Sequence, residues 1–306
     1  MSTATPHQPD RLRHALLSQI TSQVLRLIVA LVIGGWMARY LGPRSFGQLS
    51  FVLALIGLLG PLGSLGLKPA LAALLCEPRP LSGLVSTAFC LELLGTVLLS
   101  LCLLPWVWTA VDPVIPGLIA LGVVANLFNS AEVYETDLLN RHRGTVVGQV
   151  SFVKVLSGAA FTVGALVAKA PLLVFGGVQA LQSALGAVVV ARAAGVGGIR
   201  RLMADLNRPA ATALLRRGLP LMVASLATMV YMKSDQVMLE WLRGSESVGH
   251  YSIAIRLAEA FYFLPVILVD TWFPRIANGS ESAVAEQQLR RLYRWSWLLG
   301  LALMLG

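Results

Sequence analysis

The chain has 306 residues, of which 56% are hydrophobic and 13% are charged. Because a soluble domain carries about 25% charged residues, this composition excludes an ordinary soluble protein and indicates an integral membrane protein. The net charge of +9 does not indicate a nucleic-acid partner, since membrane proteins collect Lys and Arg in their cytoplasmic loops. The three cysteines have neither Cys-x-x-Cys spacing nor a His nearby, so we predict no metal site and no cofactor.

Long apolar runs predict an all-α, polytopic membrane protein, because each run is far longer than a barrel strand. With the N-terminus in the cytoplasm, sixteen basic residues fall in inner segments and four in outer segments. This bias predicts a cytoplasmic N-terminus. Lys68 is one of the sixteen basic residues in the inner segments. Eight complete spans and the start of a ninth are predicted at roughly 15–38, 47–67, 82–108, 115–139, 145–168, 171–191, 214–241, 249–272 and from 292 onward.

The spans divide into two lobes. Ile199, Leu202 and Leu206 recur at helical spacing, which predicts an amphipathic helix on the inner membrane surface. Two six-helix lobes need about twelve spans, so we expect a chain truncated within its second lobe. The predicted parts are a cytoplasmic tail (1–14), an N-lobe of six transmembrane helices (15–192), the amphipathic linker (193–213) and a partial C-lobe (214–306).

A short glycine motif occurs twice. The segment GPRSFGQLS at Gly42–Ser50 aligns with GSESVGHYS at Gly244–Ser252, and both copies lie between apolar spans. Gly42 and Gly47 thereby match Gly244 and Gly249. We predict a duplicated hairpin that heads the two lobes of a transporter.

Four cations lie at membrane depth. Each costs about 2–3 kcal/mol or more to insert, so they imply a hydrated cavity, internal pairing, or both. On the functional interpretation they line a cavity for a strongly anionic headgroup such as a diphosphate, which suits the Arg fork and the Lys point charge. On the alternative they pair with acidic residues and fix helix packing. The four are Arg26, Lys154, Lys233 and Arg256.

Other polar residues lie in the same spans. Gln19 and Gln23 share a helix face with Arg26, because the three are four and three residues apart. Asn126 and Asn129 lie within one turn of each other on the fourth span, and these four amides are the predicted polar lining of the cavity. Glu135 and Asp137 are interpreted as interfacial charges near the cytoplasmic end. The predicted sites for a coupling proton or sodium ion are Asp235, Glu132 and Glu259.

The chain resembles bacterial polysaccharide and O-antigen (oligosaccharide) flippases. The resemblance is carried by ARYLGPRSFGQLS (38–50), SDQVML (234–239), VGHYSIAIRL (248–257) and FPR (273–275), and it covers most of 15–276. These transporters belong to one superfamily with the multidrug/toxin exporters and the lipid II flippases.

The resemblance implies a two-lobe helical bundle of twelve to fourteen helices. It implies transfer of an undecaprenyl-diphosphate-linked oligosaccharide across the bacterial inner membrane by alternating access, coupled to H⁺ or Na⁺. The implied partners are this polyprenyl diphosphate sugar, membrane lipids and a polysaccharide polymerase complex. Arg26, Lys154, Lys233 and Arg256 match the cavity cations of such flippases, and Asp235 lies in the matching seventh-span motif.

Three alternatives remain open. A multidrug or toxin exporter usually carries cationic cargo, which four buried cations oppose. A membrane polymerase or glycosyltransferase needs a long extramembrane catalytic loop, and neither such a loop nor an enzyme motif occurs in the sequence. We therefore expect a non-enzyme. The third alternative is an inactive truncated membrane fragment.

Overall fold

The computed structural model describes residues 8–77, 81–109, 112–141, 143–195 and 206–259, together with 290, 293, 294 and 297. The side chains of 8–28, 30, 104–106, 108, 109 and 259 lie outside this description. The chain divides into a main unit, Gly35–Ser252, and a small unit that combines Met1–Gly34 with Ile253–Gly306.

All described elements are helical, which confirms the predicted all-α fold class. The elements are α1 (Gln8–Ser64), α2 (Leu67–Leu75), α3 (Leu84–Thr109), α4 (Val114–Asn129), a 3₁₀ turn (Ser130–Glu132), α5 (Val133–Asn140), α6 (Gly144–Val167), α7 (Leu172–Ala194), α8 (Arg208–Arg243) and α9 (Ser245–Glu259).

Six helical stretches of the described chain are long and apolar enough to cross a membrane, which confirms a polytopic membrane protein. The first stretch, Leu31–Leu75, has 45 residues. At 1.5 Å per residue it would extend about 68 Å, more than twice the ~30 Å hydrocarbon core. The count of eight full spans stays a prediction, because much of the chain after Glu259 lies outside the described residues.

The long first helix is broken at Gly42. Gly42 has φ 73° and ψ 168°, and Pro43 opens the helical segment that follows. Glycine accepts a positive φ at no steric cost, and proline is favoured in the first turn of a helix. α1 therefore consists of two helical segments, and α2 adds a third to the stretch Leu31–Leu75.

The same break occurs at the second copy of the motif. α8 ends at Gly244, which has φ 79° and ψ 174°, and α9 begins at the next residue. α8 itself begins at Arg208 rather than at 214, with Pro209 in its first turn. The predicted amphipathic linker falls mainly on 196–205, which lie outside the described residues.

Three apolar clusters pack the main unit. The first joins the second segment of α1 to α3, α4 and α7, and its centre includes Phe51, Leu55, Leu99, Leu118 and Phe175. The second joins α2, α3, α5 and α8 through Leu67, Leu71, Leu84, Val133 and Leu214. The third joins the 3₁₀ turn and α5 to α6 and α7 through Ala131, Tyr134, Val150 and Val190.

Large apolar side chains also cover the outside of the main unit. Leu94, Phe152, Leu156 and Val223 are all more than half exposed. On a soluble protein such a surface would be an aggregation hazard. On helices of membrane-spanning length such a surface suits a lipid environment, because backbone groups are already satisfied within each helix.

Candidate functional site

Five charged side chains form one ion-pair network in the main unit. Lys68 Nζ lies 2.7 Å from Glu132 Oε2 and 3.6 Å from Glu92 Oε1. Lys154 Nζ lies 3.1 Å from Glu132 Oε1 and 2.7 Å from Glu135 Oε1. Glu132 therefore bridges the two lysines through its two carboxylate oxygens.

The 3₁₀ turn Ser130–Glu132 positions the bridging carboxylate. It interrupts the path from α4 into α5, and Glu132 is its last residue. A 3₁₀ stretch changes the rotation per residue, so the side chains before and after it are re-aimed relative to a continuous α-helix. Glu132 and Glu135 are three residues apart and lie on one side of the helical path, so both reach Lys154, while Glu132 also reaches Lys68.

A glycine on α7 makes room for Lys154. A Cβ atom built on Gly186 would overlap Cε of Lys154 and lie 3.0 Å from its Cγ. The aliphatic stem of Lys154 thus runs directly over the α7 backbone. No larger residue at 186 leaves this path open.

The side chains of the network differ in how far they are exposed. The Glu92 side chain is only 5% exposed, whereas Lys68 and Glu132 are each 34% exposed. Glu92 Oε2 is buried and has no hydrogen-bond partner among the described residues. Three carboxylates face two ammonium groups, so the charge of each lysine is balanced by at least one carboxylate. An anionic ligand can therefore bind these lysines only by displacing a carboxylate.

The structure brings some predicted residues into this network and adds others. Glu132 and Lys154 were predicted as site residues, and they are in contact. From the sequence Glu135 is interpreted as an interfacial charge, whereas it pairs with Lys154. Lys68 and Glu92 were not predicted. The sequence feature that could have pointed to Lys68 is the apolar segment LKPALAALL, because the chain continues beyond Gly66 as the helix α2.

Two of the four predicted amides lie outside the ion-pair network, and the side chains of the other two lie outside the described residues. Asn126 and Asn129 are half-buried on α4, and neither side chain has a hydrogen bond to another described residue. Gln19, Gln23 and Arg26 lie on α1, but their side chains are outside the described part of the chain. Their place in a cavity stays a prediction.

Asp235 links α8 to α9. Its Oδ1 accepts a hydrogen bond of 2.7 Å from the backbone N–H of Gln236, and its Oδ2 accepts one from the hydroxyl of Tyr251. Lys233, two residues earlier, is half-buried and engaged with neighbouring groups. Glu259 ends α9, and its side chain lies outside the described residues.

Arg256 approaches the first helix within the small unit. Its Nη1 lies 3.0 Å from the point that a Cβ on Gly34 would occupy. Arg256 is half-buried and has interactions of its own. Gly34 therefore leaves space for a guanidinium beside the segment that carries Arg26.

The two predicted hairpin motifs contact each other through their glycines. A Cβ on Gly47 would overlap the carbonyl oxygen of Ser245 and lie 2.9 Å from the backbone nitrogen of Gly249. A Cβ on Gly249 would overlap the carbonyl oxygen of Pro43. The contact is reciprocal, so each copy presents its second glycine to the backbone of the other. We call it the hairpin contact.

A second glycine contact lies at the opposite end of the same segments. A Cβ on Gly218 of α8 would lie 2.6 Å from the carbonyl oxygen of Leu65, and one on Gly66 would lie 2.7 Å from the nitrogen of Met222. We call it the α2–α8 contact. Arg217 supports it by pairing with Glu77 at 2.6 Å.

The two contacts are separated by about the thickness of a bilayer. From Pro43 to Gly66 the helical rise is about 35 Å, against a hydrocarbon core of ~30 Å. Between the contacts α8 is largely uncovered, and Tyr231 is 83% exposed. On the second α1 segment, Gly57 and Gly60 have open space around the Cβ position. The structure thus brings this segment against the start of α9 at one end and the α1–α2 junction against α8 at the other, and α8 is largely exposed between the two contacts.

Other loops hold the hairpin contact at its end of the unit. Asp112, between α3 and α4, accepts a 2.6 Å hydrogen bond from Gln48 and lies 3.5 Å from Arg44. Tyr40 donates to the carbonyl oxygen of Ala170, between α6 and α7, at 3.1 Å. The first motif is therefore anchored to two inter-helix connections as well as to the second motif.

These features define a multi-pass, all-helical membrane protein with a repeated glycine hairpin and an ion-pair network between its helices. Within the described residues, no three His, Cys, Asp or Glu side chains are grouped so as to hold a metal ion. The chain belongs to the polysaccharide biosynthesis protein family, whose model matches residues 13–280. No curated protein and no solved structure matches it. Its family consists of transporter-like membrane proteins of polysaccharide biosynthesis.

Proposed function

We propose that this protein is a flippase for a polyprenyl-linked oligosaccharide. It moves an undecaprenyl-diphosphate-linked sugar from the cytoplasmic to the outer leaflet of the bacterial inner membrane, for surface polysaccharide biosynthesis. The observation that carries the proposal is the pair of glycine contacts at opposite ends of the second α1 segment, in a chain of the polysaccharide biosynthesis family. Alternating access needs two closable points with a space between them, and the two contacts supply such points.

The ion-pair network gives the headgroup a binding site by exchange. A diphosphate can replace Glu132 at the ammonium groups of Lys68 and Lys154, because phosphate oxygens form strong charge-assisted hydrogen bonds. Arg26, Lys233 and Arg256 remain proposed as further cavity cations. The polyprenyl tail stays in lipid between helices, since each buried CH₂ favours an apolar environment by about 0.8 kcal/mol.

Ion coupling follows from the same exchange. When the headgroup takes the two lysines, the Glu132 carboxylate loses its partners and becomes free to bind H⁺ or Na⁺. Binding of headgroup and ion at one network is then linked, and linkage is reciprocal. Asp235 and Glu259 are the other proposed ion sites, and a polysaccharide polymerase complex remains a proposed partner.

A second candidate function is export of cationic compounds. The network holds three carboxylates and two ammonium groups. This excess of negative charge suits a cationic cargo better than an anionic one. The family match favours the oligosaccharide, and the experiment below separates the two functions.

The test is to locate lipid-linked oligosaccharide in cells that lack the protein. We expect accumulation on the cytoplasmic face, relieved by the wild type and not by Arg26→Ala or by Lys68→Gln/Lys154→Gln at equal membrane levels. Normal surface polysaccharide without accumulation would refute the flippase. Loss of resistance to cationic dyes in the same cells would favour the exporter.

A further inference from the structure

A groove runs between α6 and α7 on the outside of the main unit, and no residue of the ion-pair network lines it. It has a volume of about 750 Å³, within the range of roughly 300–1,000 Å³ found for ligand pockets. Its walls are apolar except for Thr145 and Gln149. The lining residues are Thr145, Val146, Gly148, Gln149, Val150, Phe152, Val153, Val189 and Ala193.

The length and position of the groove match one leaflet. It follows α6 from Thr145 to Val153, a rise of about 12 Å, which is a little under half of the ~30 Å hydrocarbon core. It begins next to the first residue of α6, Gly144, and therefore opens at a helix end. An acyl chain that enters from the interface can lie along it.

Two arginines at the mouth of the groove lack an acidic partner. Arg143 precedes α6, and its Nη1 donates a 3.4 Å hydrogen bond to the carbonyl oxygen of Ala193, a lining residue. Arg192 is the neighbour of Ala193 and is exposed. Among the described residues neither guanidinium forms an ion pair, whereas the nearby Arg141 pairs with Asp137 at 2.9 Å.

The segment that follows α7 has a net positive charge. Residues 196–205 carry Arg200 and Arg201 against a single acid, Asp205. The mouth is thus basic and the groove apolar, which is the pattern of a site for an anionic amphiphile. Each Lys or Arg at an anionic lipid surface contributes about 1 kcal/mol.

We propose that this groove binds an anionic phospholipid, with one acyl chain between α6 and α7 and the phosphate at Arg143 and Arg192. None of the five residues of the ion-pair network lines the groove, and the proposal does not depend on the proposed function. It gives the protein a specific lipid at the membrane interface rather than a general lipid coat.

Glycine positions supply a matched test. Gly148 lines the groove, and a Cβ there meets no atom within 4 Å, so the side chain of Gly148→Leu starts in open space and is expected to occupy the groove. Gly164 lies on the same helix, is also exposed and has the same open space, but it does not line the groove. Gly164→Leu therefore controls for the change in helix propensity and in surface hydrophobicity.

The measurement is lipid binding to the purified full chain by native mass spectrometry, with phosphatidylglycerol or phosphatidylcholine added in detergent. For the wild type we expect about 10-fold tighter binding of the first phosphatidylglycerol than of phosphatidylcholine. Arg143→Gln/Arg192→Gln should bring the two lipids to within about 2-fold of each other. Gly148→Leu should lose the first bound lipid, and Gly164→Leu should keep it.

Three results would overturn the proposal. They are equal binding of the two lipids by the wild type, unchanged phosphatidylglycerol binding in Gly148→Leu, and tighter binding of added polyprenyl phosphate that the same variants abolish. The last result would assign the groove to the carrier lipid. Circular dichroism and melting temperature of each variant separate lost binding from lost folding.

Discussion

Replacing Gly47 by alanine tests the hairpin contact directly. The added methyl group would overlap the carbonyl oxygen of Ser245 and crowd the backbone of Gly249, and neither is a flexible side chain that can swing away. Overpacking of a closely packed contact costs about 1–3 kcal/mol. The same substitution also stabilises the helix by up to about 1 kcal/mol, because alanine has a higher helix propensity than glycine. The change in stability of Gly47→Ala alone therefore does not measure the contact.

Gly57→Ala provides the reference. Gly57 lies on the same helical segment and has no atom within 4 Å of its Cβ position. It should gain the same helix propensity without the overlap, so the difference between the two variants isolates the contact. We expect Gly47→Ala to be about 1–3 kcal/mol less stable than Gly57→Ala.

Thermal unfolding in one detergent measures this difference, and complementation of surface polysaccharide measures its effect on transport. If the contact closes one end of the path, Gly47→Ala should also reduce complementation while Gly57→Ala does not. Equal melting temperatures for the two variants would refute the close approach of the hairpins. Equal complementation with unequal stability would show a contact that is structural only.

Three further predictions concern the ion pairs and the anchors. Lys154→Ala and Glu135→Gln should be non-additive in stability, with a coupling energy of about 0.5–3 kcal/mol in a double-mutant cycle, and additive changes would argue against the 2.7 Å pair. Gly186→Ala should destabilise the wild type, because its methyl group displaces the stem of Lys154, and it should cost little in a Lys154→Ala background. Asp112→Ala should lose about 1 kcal/mol in unfolding free energy through the hydrogen bond from Gln48, and no change in melting temperature would contradict that anchoring.

The helices and their breaks could be predicted from local sequence. Apolar runs fix the existence of helices, and Gly42-Pro43 fixes a break because both residues disfavour an uninterrupted helix. The repeated motif singled out the four glycines of the two hairpins. Local sequence could not show that Gly47 and Gly249 face each other's backbone, since that depends on how two distant helices pack.

The ion-pair network was only partly predictable. Sequence spacing reveals neighbours on one helix, whereas Lys68, Glu92, Glu132 and Lys154 come from four different elements. Lys68 was missed because Lys-Pro after a glycine is typical of a helix end. In the structure Gly66 takes a left-handed conformation with φ 64°, and the helix resumes at Leu67.

Lysines whose charge is balanced by carboxylates suit a carrier better than lysines without such partners. A transported headgroup must bind well enough to enter the path and weakly enough to leave it. Glu132 lies 2.7 Å and 3.1 Å from the ammonium groups of Lys68 and Lys154. On the proposed function, a diphosphate would have to displace this carboxylate to bind and the carboxylate would return when the headgroup departs, so Glu132 would act as an internal competitor that promotes release.

Glu132→Gln removes this competitor with almost no change in shape. An amide keeps a hydrogen-bonding oxygen but carries no charge, so the lysines become more available to phosphate. We expect tighter binding of a soluble polyprenyl diphosphate analogue, by about 10-fold or more for an effect of 1.4 kcal/mol or more, together with slower flipping in reconstituted vesicles. The matched control is Glu77→Gln, whose acid pairs with Arg217 outside the network. Weaker analogue binding in Glu132→Gln would show that the carboxylate helps to hold the headgroup site together rather than competing for it, and the exchange mechanism would then be wrong.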